Sequence, residues 1–172
     1  MMCGITGTPG TGKSLAADVL ERRGYRVVRL SETFEGYIIG RDEVRQTLVV
    51  DEERWALSFT RVEGFVEGHL AHLLTCDLVV VLRCRPDILT GRLAARGYDS
   101  EKIRENVEAE ALDVILIETL ERHRANRVLE IDATQRSSDE CADMIIAFSE
   151  GKTPPTHGSI DWSCYLVAAD DT

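Results

Sequence analysis

Five short apolar runs punctuate the chain, and between them apolar positions recur at helical spacing. Cys3-Gly4-Ile5-Thr6 is the first, followed by Arg26-Val27-Val28-Arg29-Leu30, Gly64-Phe65-Val66, Asp77 to Cys84 and Arg127 to Asp132. Each has strand length. The run DLVVVLRC is almost continuously apolar, which predicts a central parallel strand buried on both faces. Helices are predicted at Leu15–Arg23, Trp55–Val62, from Pro86 to Arg96-Gly97, from Asp99 or Ser100 to His123, and from Ser137 or Ser138 to Glu150. Strands alternating with helices predict an α/β fold, a parallel five-stranded sheet with helices on both faces and right-handed crossovers.

Two stretches do not follow the pattern. Ser31 to Leu48 mixes Glu, Gly, Tyr and Arg without a long apolar face. It reads either as a segment that covers a substrate or as a pair of surface helices. After Gly151 the chain becomes rich in Pro, Gly, Ser and Thr, like a linker. That tail ends in Trp162 and Tyr165-Leu166-Val167, which would dock on the body or on a partner.

Between the first strand and the first helix lies Gly7-Thr8-Pro9-Gly10-Thr11-Gly12-Lys13-Ser14. The spacing G-x-x-x-x-G-K-S in a strand–loop–helix context is the P-loop of nucleoside triphosphatases. Glycines let the backbone approach a phosphate, and successive amides at a helix N-terminus face the anion. Lys13 is placed to reach the β- and γ-phosphates of ATP, and Ser14 to ligate Mg²⁺. The plain alternative, a glycine-rich turn with a stray lysine, leaves the strand and helix on either side unexplained.

Length and composition narrow the class. At 172 residues with 44 % hydrophobic content the chain fits one globular domain. No apolar run approaches the about 18 residues of a membrane span. The first strand begins at once, leaving no room for a signal peptide, so a cytoplasmic protein is expected. A net charge of −10 argues against a large non-specific nucleic-acid surface. The five cysteines form no C-x-x-C pair and read as buried thiols of a reducing compartment.

Other residues refine the chemistry. Gly64-Phe65-Val66-Glu67 resembles a Walker-B-type strand, whose terminal acid can join the Mg²⁺ shell. His69 and His72 are close enough to share a helix face, but the nearby sequence lacks the further ligands of a zinc site. His69 either orients a water or caps the helix beginning near Leu70. Arg92 and Arg96 sit towards the end of the helix after the central strand, where cations would meet a migrating phosphoryl group. Asp132-Ala133-Thr134 follows the last strand, where open α/β sheets place ligands.

In order along the chain, the P-loop, the Asp51-Glu52-Glu53-Arg54 box, Glu67-Gly68-His69, and Arg92-Leu93-x-x-Arg96-Gly97-Tyr98 followed by Lys102 and Asn106 resemble the archaeal and nuclear adenylate kinase family. These are small nucleoside monophosphate kinases also implicated in small-ribosomal-subunit maturation. The resemblance spans roughly residues 3 to 148, and the Arg-Gly-Tyr lid box is its most discriminating part. It implies a kinase domain over 1–150, with an NMP-binding segment at about 31–53, a lid at about 95–106, and a tail at 151–172. It implies ATP contacts at Gly10, Thr11, Gly12, Lys13, Ser14, Leu15 and Arg96; the position of Asp132, Ala133 and Thr134 after the last strand separately predicts that they lie beside the adenine. Lys13, Arg92, Arg96, Glu67 and His69 would be catalytic, with Mg²⁺ at Ser14 and Glu67. The family box more often reads Asp-x-His, so Glu67 is one methylene longer than the pattern.

The implied reaction is ATP + AMP to two ADP, with ATPase activity. A second reading is an ATPase assembly factor that binds a small-subunit ribosomal protein within the pre-40S/30S particle, phosphorylating AMP incidentally. A shikimate or nucleoside kinase is a third reading, and the lid box fits it less well.

Overall fold

A computed structural model describes residues 1–42 and 47–166. The main sheet is built from β1 (Met2–Thr6), β2 (Val27–Arg29), β5 (Gly64–Glu67), β6 (Leu78–Arg83) and β7 (Val128–Asp132). All neighbours are parallel, in the order β2-β5-β1-β6-β7. The α/β reading with a five-stranded parallel sheet therefore holds. One detail shifts: β6 is an interior strand, and β1 occupies the centre of the sheet.

Alternation along β6 explains its continuous apolar run. Val80 and Leu82 pack on one face against α1 (Lys13–Arg22) and α6 (Ser138–Ser149), with Leu20, Ile145 and Phe148. Val79 and Val81 pack on the other, with Trp55 of α2 (Glu52–Ser58) and Leu116 of α5 (Val114–Arg122). Both faces are dry, so polar spacing residues would have no water to meet. A smaller cluster of Cys84, Leu89 and Leu93 joins α3 (Pro86–Ala95) to α4 (Ser100–Ala111).

Three local expectations change. The pair of surface helices expected in residues 31–48 is not seen among the described residues: after a 3₁₀ turn at Leu30–Thr33 comes an antiparallel hairpin of β3 (Ile38–Asp42) and β4 (Thr47–Val50). Ile38-Ile39 and Val49-Val50 are the β-branched residues that favour it. The helix expected from Trp55 starts earlier, because the Asp51 carboxylate accepts from the Arg54 amide at 3.1 Å and caps the helix at Glu52. The helix expected from residue 99 to 123 is two helices, broken at Asp113, whose φ of 57° is left-handed. Asp99 caps α4, accepting from the Lys102 amide at 2.8 Å, and Ser137 caps α6 in a reciprocal box with Glu140.

The described part of the tail lies on the body. The Glu130 amide donates to the Thr156 carbonyl at 2.7 Å, and the Gly158 amide donates to the Glu130 carboxylate at 2.7 Å. The Tyr165 hydroxyl reaches Asp87 at 3.5 Å. Residues 43–46 of the expected NMP-binding segment and 167–172 of the tail, with Val167, lie outside the described residues.

Candidate active site

In this strand order, β1 connects across β5 to β2 while β6 lies on its other side. A crevice opens at the carboxyl end of β1, where the connections diverge. The P-loop occupies it. Gly7 has φ 136°, and a Cβ there would stand 2.2 Å from the Leu82 carbonyl oxygen, so only glycine lets the loop leave the sheet. Gly12 has φ 104° and serves as the N-cap of α1. The first amides of α1, which have no carbonyl one turn back inside the helix, belong to this loop.

Lys13 is 7 % exposed and donates to the carbonyls of Gly7 at 2.7 Å and Thr8 at 2.9 Å. Burial lowers its pKa from the ordinary 10.5 to about 8. The charges of Glu67 and Glu110 oppose that shift, and Arg96 adds to it. The Ser14 hydroxyl donates to one Glu67 oxygen at 3.2 Å, and Arg29 donates to the other at 3.4 Å. Glu67 is buried at the end of β5, beside the P-loop, as a Walker-B-type acid would be. His69 follows at the exposed rim of the crevice, its backbone carbonyl accepting from Thr6 Oγ1 at 3.0 Å. The surrounding protein, then Lys13 and His72, hold its pKa below the ordinary histidine value, so the imidazole is neutral at pH 7. His72 does not share that rim: it is buried, with Nδ1 on Thr6 Oγ1 at 3.1 Å and Nε2 on Glu118 at 2.9 Å.

Two clefts meet at the loop. One, of about 550 Å³, is walled by Lys13, Ser14, Glu67 and His69 on one side and by Tyr98, Lys102 and Asn106 on the other, with Ser31 and Phe34. The second, of about 360 Å³, is lined by Thr11, Leu15, Arg92, Ala133 and Arg136. Gly10, Gly12 and Arg96 line both. Arg96 closes the C-terminal end of α3, and the Lys102 ammonium lies 4.4 Å from the Tyr98 ring centroid.

Of the residues singled out in the sequence, Gly10, Gly12, Lys13, Ser14, Leu15, Glu67, His69, Arg96 and Ala133 line these two clefts together with Thr11 and Arg92. Arg92 is engaged as a tie. Its guanidinium donates to the carbonyls of Gly10 at 3.5 Å, Ala133 at 3.3 Å and Thr134 at 3.0 Å, joining the loop to the turn after β7. Asp132 and Thr134 are spent on that turn: Asp132 Oδ1 accepts from the Thr134 amide at 2.9 Å, and Thr134 Oγ1 accepts from the Arg85 amide at 2.9 Å. Their side chains line a separate depression with Arg85 and Trp162. The sequence did not single out Arg29 or Thr8. An arginine at the end of a strand, directly before the 3₁₀ turn that starts at Leu30, is the trace Arg29 leaves.

A sheet in this order with a P-loop at its switch point and paired clefts defines a P-loop nucleotide kinase. Residues 3–113 match a family model described as an AAA domain. A chain named "Putative adenylate kinase" from Methanothermobacter thermautotrophicus is 44 % identical over 97 % of this chain and 99 % of its own. Relatives of the same name from Archaeoglobus fulgidus and Natronomonas pharaonis are 44 % and 43 % identical, over 94 % and 96 % of this chain and 92 % and 100 % of theirs. The chain belongs to this adenylate kinase-like family. The fold is shared with deoxyadenosine kinase from M. mycoides (TM-score 0.56, 13 % identity, 87 % of this chain and 99 % of that one). It is shared also with the YorR protein of Bacillus subtilis (TM-score 0.53, 18 % identity, 87 % and 96 % covered).

Proposed function

We propose that the protein is an adenylate kinase, transferring the γ-phosphoryl group of ATP to AMP to give two ADP. The observation that carries this reading is the pair of clefts that share Gly10, Gly12 and Arg96. A transfer between two nucleotides needs two sites whose phosphates meet at one cationic point. ATP takes the smaller cleft, its base towards Ala133 and its phosphates on the P-loop. AMP takes the larger, beside Ser31 and Phe34 of the segment 31–53. Residues 1–150 are the kinase domain, 95–106 the lid and 151–172 the tail, whose described part, up to Leu166, lies on the body.

Lys13 holds the β- and γ-oxygens, and Arg96, facing both clefts, meets the charge that spreads over the migrating group. The Ser14 hydroxyl and Glu67 carboxylate, 3.2 Å apart, are oxygen donors of the kind a hard divalent cation takes, so these two residues would hold Mg²⁺. When bound, Mg²⁺ would neutralise charge on the β- and γ-phosphates. His69 is a neutral imidazole that can orient a water for hydrolysis, a step the transfer to AMP does not need.

The net charge of −10 favours a second reading in the same chain. An acidic cytoplasmic ATPase would steer towards a basic small-subunit ribosomal protein and act in rRNA maturation.

The test is ADP formation by the purified protein from ATP with each NMP in turn, beside ATP hydrolysis with none. AMP should be the best acceptor. Hydrolysis unaffected by any NMP would leave the assembly-factor reading in its place. Lys13→Ala, still folded, should abolish most of the transfer.

A further inference from the structure

Beneath the phosphate loop lies a run of buried charge that the proposed chemistry does not use. Arg83 ends β6 and is 1 % exposed, and Glu110, in the last turn of α4, is 2 % exposed. Arg83 Nε donates to Glu110 Oε1 at 2.8 Å, and its NH2 donates to the Glu110 backbone carbonyl at 2.9 Å. Its remaining donors go to Glu130 and Asp113. The Cys84 amide donates to Glu110 Oε1 at 3.0 Å. One Glu110 oxygen is thus locked to the sheet. The other, Oε2, accepts from the Thr8 hydroxyl at 2.5 Å, across 102 residues of sequence.

Thr8 is the hub of the loop. Its carbonyl accepts from Lys13 Nζ at 2.9 Å, from Thr11 Oγ1 at 2.9 Å and from the Thr11 amide at 3.3 Å. Whatever holds the Thr8 side chain therefore holds the point on which the loop and Lys13 are centred. We propose that Glu110, braced by Arg83, is a positioning residue for phosphoryl transfer, acting through Thr8. The proposal rests on the phosphoryl-transfer reading above.

Stability alone is a poor reason for this cluster. A buried ion pair is weak evidence for stability, because desolvation offsets most of the attraction. What the arrangement supplies is geometry. Lys102, Asn106 and Glu110 follow one another at i, i+4 and i+8 on α4, so they lie along one face. Lys102 and Asn106 line the larger cleft, while Glu110 holds the P-loop. The helix that follows the lid box and the loop that carries the phosphates share one anchor. A displacement of α4 moves both together.

Full-length Thr8→Val, Thr8→Ser, Glu110→Gln and the Thr8→Val/Glu110→Gln double variant test this, with kcat, KM for ATP and AMP, and melting temperature measured on each. Thr8→Val removes only the hydroxyl and keeps the shape, so it carries the test even where Glu110→Gln fails to fold. A loop misplaced on the ångström scale costs about 100-fold in rate. The expected loss for Thr8→Val is therefore about 10- to 100-fold in kcat, with KM for ATP changed far less. Thr8→Ser, which keeps the hydroxyl, should recover most of that loss. The double variant should be no worse than the poorer single one, since the two act as a unit. Thr8→Val with wild-type kcat, a loss confined to KM, or a Thr8→Ser as poor as Thr8→Val would each overturn the proposal. If the wild type forms no ADP from any NMP, it is the phosphoryl-transfer reading that fails. The same variants are then read by ATP hydrolysis, where the same ordering supports the anchor and unchanged rates refute it.

Discussion

Two glycines of the same loop separate backbone strain from steric exclusion. Gly7 and Gly12 both have positive φ, 136° and 104°. A methyl group on Gly12 would meet nothing within 4 Å, whereas one on Gly7 would stand 2.2 Å from the Leu82 carbonyl oxygen. Ordinary contact begins near 3.4 Å, so Gly7→Ala requires roughly 1.2 Å of additional separation. Leu82 cannot easily yield, because it sits in register with Ile131 in the β6–β7 ladder. Gly12→Ala should therefore cost the left-handed strain alone, about 1–2 kcal/mol. Gly7→Ala adds about 1–3 kcal/mol of overpacking, for a total of about 2–5 kcal/mol. For a domain of this size each kcal/mol lowers the melting temperature by about 2–4 °C. That predicts a fall of about 2–8 °C for Gly12→Ala and about 4–20 °C for Gly7→Ala. Thermal and urea unfolding of the two variants, side by side, measure it. A Gly12→Ala as damaging as Gly7→Ala would refute the separation of the two causes and show that φ alone governs this loop.

The ionised Lys13 is disfavoured in the folded state, with its pKa lowered to about 8 from 10.5, so the unfolded chain holds that proton more tightly. The wild type should gain stability relative to Lys13→Met as pH rises from about 8 to about 10.5 and be flat below that window, and urea titrations across it with no such rise would contradict the burial argument. Arg96→Ala should lower kcat more than it raises KM for ATP, because a group facing both clefts acts on charge that develops in the transition state; steady-state kinetics with a KM effect alone would make Arg96 a ground-state contact. His69→Ala should reduce ATP hydrolysis more than AMP phosphorylation, and parallel assays showing equal loss of both, or of neither, would remove the separate hydrolytic role.

The strands, the P-loop and the order of the motifs were legible in the linear chain because each rests on local chemistry. An apolar run of strand length, a glycine spacing and a capping residue act on their near neighbours, and β1, α1, β5, β6, β7 and α6 lie where that chemistry predicts. Glu67 beside Ser14 followed from the same logic, since a parallel sheet brings the carboxyl ends of β1 and β5 to one edge. Partnerships between distant residues were decided only by the tertiary structure. Glu110 stands in the apolar series Ile103, Val107, Val114, Ile117, which points to burial but names no partner; the structure buries it on Arg83 and has it hold Thr8. Asp132 and Thr134 look like ligands of the crevice in sequence, and the turn they close directs them away from it. Ile38, Ile39, Leu48 and Val49 are exposed on a hairpin that does not join the main sheet, so their apolar pattern lacked the burial that makes periodicity readable. A helix or strand is specified by residues a few positions apart, whereas a buried charge finds its partner only once the sheet has fixed which elements meet.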